Sequence, residues 1–199
     1  MASSEKSDKR RRILDAAVEV FAQNGFYNSK VSQIARAASV ADGTIYLYFK
    51  SKEDILLSVF VDCMDEIISR QNDALVGIES SVERLQTFIR VHFESVGQSS
   101  ALAEVLTVEL RQSAKFMRNT DMSAFGRYLG IIARIIAEGQ QQGVFVRDLN
   151  PRRMARMLFG ALDELSLEWA MDQRLTSLDE ACEQTLRIFT QGLLPRTSN

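Results

Sequence analysis

Apolar residues recur along this chain every third or fourth position, the period of one helix face, with no stretch alternating at the period of two that a half-buried strand needs. Ile13, Ala16, Ala17, Val20 and Phe21 fall at i, i+3, i+4, i+7 and i+8, predicting a first helix over residues 7–24, with residues 1–8 expected to fray. Gly25 supplies the left-handed position that stops it. Ser29 is the expected N-cap of the next helix, where Val31, Ile34, Ala35 and Ala38 continue the stripe. Ile45 and Phe49, at i and i+4, mark a third short helix over residues 42–48. Once those two turn inward, Gly43, Thr44, Tyr46, Leu47 and Tyr48 are left outside: hydroxyls, rings and bare backbone. Two short helices around a tight turn, the second with such a face, match a helix-turn-helix, whose second helix docks in the major groove of DNA.

The same period carries on. Ser51-Lys52-Glu53-Asp54 reads as a capping-box start to a fourth helix with Ile55, Leu56, Val59, Phe60 and Cys63 on its apolar face, ending near Leu75. A fifth, from Ser80 to Gly97, lines up Val82, Leu85, Phe88, Ile89, His92, Phe93 and Val96. A sixth over 101–113 carries Leu102, Val105, Leu106 and Leu110 inward. A seventh over 121–142 carries Phe125, Tyr128, Leu129, Ile132, Ile135 and Ile136, closed by Gly143. Asn150-Pro151 is a cap followed by proline at the first helical position, opening an eighth helix that runs to about residue 172. The ninth spans 177–194. The expected fold is all-α, about nine helices, with a small head over residues 1–52 and a larger helical body over 53–199.

Composition changes this picture little. Hydrophobic residues make up 46% and there are two prolines, ordinary for a helical globular chain. No apolar run reaches the roughly 18 residues of a membrane span, and residues 1–12 are polar with no apolar segment behind them, so neither a membrane partner nor a cleavable signal is expected. Cys63 and Cys182 stand far apart without metal-ligand spacing, consistent with a cytoplasmic protein with reduced thiols and no metal. The net charge of −2 counts against a nucleic-acid partner only if it is evenly spread, and it is not. Residues 1–54 carry nine Lys/Arg against seven Asp/Glu; the remainder carries fifteen against nineteen. Lys9, Arg10, Arg11 and Arg12 at one end, and Lys50 and Lys52 at the other, give the head basic clusters suited to phosphate.

The order Gly43-Thr44-Ile45-Tyr46-Leu47-Tyr48-Phe49-Lys50-Ser51-Lys52-Glu53, behind Val31-Ser32-Gln33-Ile34-Ala35 and Gly25-Phe26, resembles the TetR family of transcriptional regulators over residues 13–60. Val108-Glu109-Leu110-Arg111-Gln112-Ser113, Phe159-Gly160-Ala161-Leu162-Asp163-Glu164 and Trp169-Ala170-Met171 extend the resemblance to the fatty-acid-degradation branch. That likeness implies a homodimer, joined through the last two helices, that represses from a palindromic double-stranded DNA operator and is released by long-chain acyl-CoA bound in each body. It implies no cofactor. A repressor sensing a drug or aromatic compound is the alternative within the family; an all-α enzyme or lipid carrier is the alternative outside it.

Roles carry over where residues match. Gly43 lets backbone approach a base edge, and Thr44 can donate to a phosphate or touch a thymine methyl. Tyr46 and Tyr48 offer hydroxyls, Lys52 a charge, and Lys30 and Ser32 a grip on the opposite backbone; Tyr46 can equally pack within the head. Asp42 either stabilises its own helix start or accepts from a cytosine amine. For the effector, Phe60, Phe88, Phe93, Leu106, Leu110, Tyr128, Ile132, Phe159 and Leu162 are candidate tunnel residues, each of which also fits ordinary core. Arg111 and Gln112 are candidate phosphate contacts, with Arg118 and Arg90 behind them. His92, the only histidine, reads as a hydrogen-bonded core residue or a polar contact in the pocket. One histidine without a nearby cysteine or paired carboxylate makes neither a zinc site nor a triad. Asp163 and Glu164 point about 100° apart on a helix and cannot flank one substrate atom. No enzyme activity is expected.

Overall fold

The computed structural model describes residues 2–109 and 123–195, and every regular element among them is helical. Helix α1 (Ala2–Asn24) starts earlier than the apolar stripe begins, because its first turns are charged and carry no stripe to read. Its buried face is the predicted one: Ile13, Ala16, Ala17, Val20 and Phe21. Gly25, at φ 72°, ends it in the left-handed region. Ser29 does not cap the next helix. It is buried, and its Oγ donates back to the carbonyl of Gly25 (2.7 Å), with the Val20 carbonyl 3.2 Å away, at the end of α1. The N-cap of α2 (Val31–Ala37) is Lys30, whose backbone N–H donates to the Gln33 side chain at 2.7 Å.

Ser39, at φ 55°, makes the turn into α3 (Asp42–Ile45), and a further turn follows in which the Leu47 and Tyr48 amides donate to Thr44 and Ile45. Helix α4 (Lys52–Ala74) opens as the sequence suggests, Ser51 Oγ accepting from the Asp54 amide at 3.2 Å. The carboxylate that reaches back belongs to Asp54, and it accepts from the Lys50 amide at 2.8 Å.

The chain divides into two compact units, Met1–Cys63 with Ala101–Thr120, and Met64–Ser100 with Asp121–Asn199. In the first, Leu14, Phe21, Ile34, Ile45, Phe49, Ile55, Leu56 and Val59 form the core of the helix-turn-helix. Arg10 of α1 holds Asp62 of α4 through two hydrogen bonds (2.5 and 3.0 Å) and lies over the Phe49 ring. The expected single sixth helix is instead α6 (Ser100–Glu104) followed by a π-helical turn, Val105–Glu109. Val105 is fully buried in the core of this first unit, and Leu102 packs against it. An apolar period cannot reveal such an address, since it shows that a face is buried but not against what.

In the second unit, α5 (Ser81–Val96), α7 (Ser123–Gln141), α8 (Pro151–Met171) and α9 (Leu178–Leu193) pack together. Ser80, Asn150 and Ser177 cap α5, α8 and α9 by accepting backbone N–H bonds. Leu85, Phe88, Ile89, Ile132, Ile135, Leu158 and Leu162 are fully buried between them. After α7, left-handed Gly143 turns the chain so that Phe145 lies on the helix at Gly139. A Cβ at 139 would sit 2.2 Å from the Phe145 ring, so Gly139→Ala should lower stability by about 1–3 kcal/mol. Thermal unfolding measures this, and Phe145→Leu should recover part of the loss. An unchanged melting temperature would show that the ring can move aside freely.

Candidate nucleic-acid interface and effector cluster

The first unit leaves a strip of polar and aromatic residues exposed along α2 and α3. Lys30, Ser32 and Gln33 at the start of α2 are exposed, as are Asp42 and Gly43 at the start of α3. Thr44 is half-buried. Tyr46 and Leu47 stand out most, 60% and 77% exposed, since only Ile45 and Phe49 of this segment are needed for the core. Tyr48 is half-buried, packs against the core and lies 6.3 Å from the Phe49 ring. Tyr46 is therefore the more open of the two tyrosines. Asp42 sits in the first turn of α3, where a carboxylate meets the positive end of the helix. Gly43 has open space where its Cβ would be, and its φ is not left-handed. Neither packing nor backbone conformation within this chain calls for glycine there.

Lys52 departs from the expectation of a free phosphate-seeking charge. Its Nζ donates to the carbonyls of Phe26 (2.5 Å), Tyr27 (3.2 Å) and Ser29 (2.8 Å), and it lies 4.5 Å above the Phe26 ring. The signal that turns it inward is three-dimensional: its partners lie more than twenty residues earlier in the chain.

In the second unit the structure brings together Phe88, His92 and Phe93 of α5, Tyr128 and Ile132 of α7, and Phe159 and Leu162 of α8. The Tyr128 ring lies 5.1 Å from Phe88, 6.2 Å from His92 and 6.2 Å from Phe159, which in turn meets Phe125 edge-on at 4.8 Å. His92 is a hydrogen-bonded core residue, one of the two readings its position allowed. Ser166 Oγ donates its one hydrogen to the Leu162 carbonyl (2.7 Å), so it accepts from His92 Nε2–H (3.2 Å). That leaves Nδ1 to accept from the Tyr128 hydroxyl at 2.7 Å. The chain of donors thus fixes the tautomer, and burial pushes the imidazole down to about 4, holding it neutral. Burial, reinforced by the charge of Asp163, raises the Tyr128 phenol above its ordinary value.

Ser166 was not among the candidates, although its place four residues after Leu162 on the apolar side of α8 was a usable sign. Phe60 and Leu106 belong to the first unit, Phe60 buried and Leu106 half-buried. Arg90 is exposed on α5. Leu110, Arg111, Gln112 and Arg118 lie outside the described residues. Among the described residues no three His, Cys, Asp or Glu side chains gather as a metal site, and no helix is long and apolar enough to cross a membrane.

Comparison with known proteins places both parts. Residues 13–59 match the model for bacterial regulatory proteins of the tetR family, and residues 60–192 match that for the C-terminal region of YsiA-like proteins. The fatty acid metabolism regulator protein of Bacillus subtilis is 39% identical over 189 residues, covering 95% of this chain and 97% of that one. The fatty acid degradation regulator FadR from Bacillus halodurans superposes with a TM-score of 0.87 at 34% identity, over 94% of this chain and 97% of that one. FadR from Bacillus subtilis in complex with stearoyl-CoA gives 0.85 at 39% identity, over 92% and 98%. With a helix-turn-helix whose Tyr46 and Gly43 are exposed, and with likeness running the length of both units, the chain belongs to the TetR family of transcriptional regulators and is a DNA-binding regulator, not an enzyme.

Proposed function

We propose that this protein represses fatty-acid-degradation genes from a palindromic operator and is released when long-chain acyl-CoA binds. The observation that carries the reading is the extent of the likeness: 39% identity across nearly the whole chain to a fatty acid metabolism regulator, and the shared fold of a relative holding stearoyl-CoA. Residues 1–52 read the DNA, through Lys30, Ser32, Gly43, Thr44, Tyr46 and Tyr48; residues 53–199 bind the effector and dimerise. The aromatic cluster around Tyr128 supplies apolar surface for an acyl chain, with Arg111 and Gln112 for the phosphates of the CoA. The homodimer forms through α8 and α9, where Met157 and Ile188 remain 62% and 66% exposed on a single chain. The protein works in the cytoplasm, where operator and acyl-CoA meet.

Gel shift on operator DNA, with oleoyl-CoA, lauroyl-CoA, CoA alone and free oleic acid as arms, tests this. Release by the long-chain thioesters with at least a tenfold loss of affinity, and none by CoA or the free acid, is the expected result. Retention in every arm overturns the acyl-CoA assignment, and release by an aromatic compound instead supports the drug-sensing alternative.

A further inference from the structure

We propose that Lys52 is a positioning residue of the DNA-reading head, its ammonium clasping the corner between α1 and α2 to the first turn of α4 instead of neutralising a phosphate. The inference rests on reading residues 30–48 as the part that meets DNA. An ammonium has three donors and no acceptor. Here the carbonyls of Phe26, Tyr27 and Ser29 meet all three, and none is left for a DNA backbone.

The corner is built to receive a cation. Left-handed Gly25 breaks the helical ladder, and the buried Ser29 hydroxyl is turned back towards the end of α1. The three oxygens thereby converge on one point. The Phe26 ring closes it from below, itself buried and 5.4 Å from Phe21. Immediately after Ser29 the chain enters α2 through Lys30, with exposed Ser32 and Gln33 behind it. A single side chain therefore ties the entry angle of α2 to α4. Lys30 and Lys50, by contrast, are exposed on the surface.

The experiment combines operator affinity, read by fluorescence anisotropy across a salt series, with hydrogen exchange of amides 25–33 in the DNA-free protein. Lys52→Met keeps the apolar stem over Phe26 and removes the donors. Its affinity should fall roughly tenfold with the slope of log K against log salt unchanged, and the corner amides should exchange at least severalfold faster. Lys30→Met, a phosphate contact in the proposed interface, should lower the slope by about one. Lys52→Arg keeps the charge on a flat fork that cannot meet three converging carbonyls; it should lose affinity in the same way, and it carries the test if Lys52→Met fails to fold. A slope lowered by about one in Lys52→Met, with exchange unaltered, makes Lys52 a phosphate contact and overturns the clasp. Full wild-type behaviour of Lys52→Arg overturns it as well, since charge alone would then suffice. If the wild-type protein binds no operator, the DNA-binding reading fails while the exchange measurement still decides the clasp.

Discussion

Replacing His92 by glutamine should flatten the acid side of the stability curve. The folded protein holds the imidazole at about 4, below its unfolded value of 6.5, so as pH falls the unfolded chain takes up the proton first. Stability from this group is complete above pH 6.5 and is lost progressively as pH falls to 4, a difference of about 3 kcal/mol. The cause is burial: the ring lies between Tyr128 and Ser166 with both nitrogens already engaged. Glutamine offers an amide NH2 to donate and a carbonyl oxygen to accept towards the same neighbours. Its cost at neutral pH is a separate matter from the slope. Denaturant titrations of both proteins at half-unit pH steps from 4 to 7.5 make the comparison. Parallel curves would mean that His92 is not held neutral by the fold.

The second large effect is expected at Gly43, and it should separate folding from function. Alanine fits there without contact and prefers a helix to glycine by roughly 0.5–1 kcal/mol, so Gly43→Ala should fold at least as well as the natural protein. If the strip through Tyr46 meets the major groove, the added methyl stands between backbone and base edge. Operator affinity should then fall about 10- to 100-fold, the equivalent of about 1–3 kcal/mol. Anisotropy and thermal unfolding on the same preparation read both. Retained affinity would show that the backbone at 43 does not come close to the bases.

The helices were readable because burial imposes a period and caps impose particular residues. Ile13 to Phe21, the face of α5, and the Ser80, Asn150 and Ser177 caps all emerge from such local rules. What escaped was the destination of polar groups. Ser29 looked like a helix start because serine before an apolar stripe usually is one; here the hydroxyl is satisfied backwards, on α1. Lys52 reads as a phosphate ligand because a sequence displays its charge and not the three carbonyls its ammonium meets in the fold. Ser166 stands on the apolar side of α8 in the sequence, but its partner becomes visible only in the fold, where His92, seventy-four residues away, lies beside it. The proposed effector class rests on family likeness alone, for no spacing of aromatics distinguishes a tunnel from a core.

Val105 gives the first unit an order of assembly. Its side chain completes the interior around the helix-turn-helix, yet it is made long after Phe49 and Ile55. A ribosome that has released only the first sixty residues has released a head still missing one of its buried side chains, which arrives only when the segment behind α5 has emerged. Cutting the gene after α4 would yield the same unfinished particle permanently.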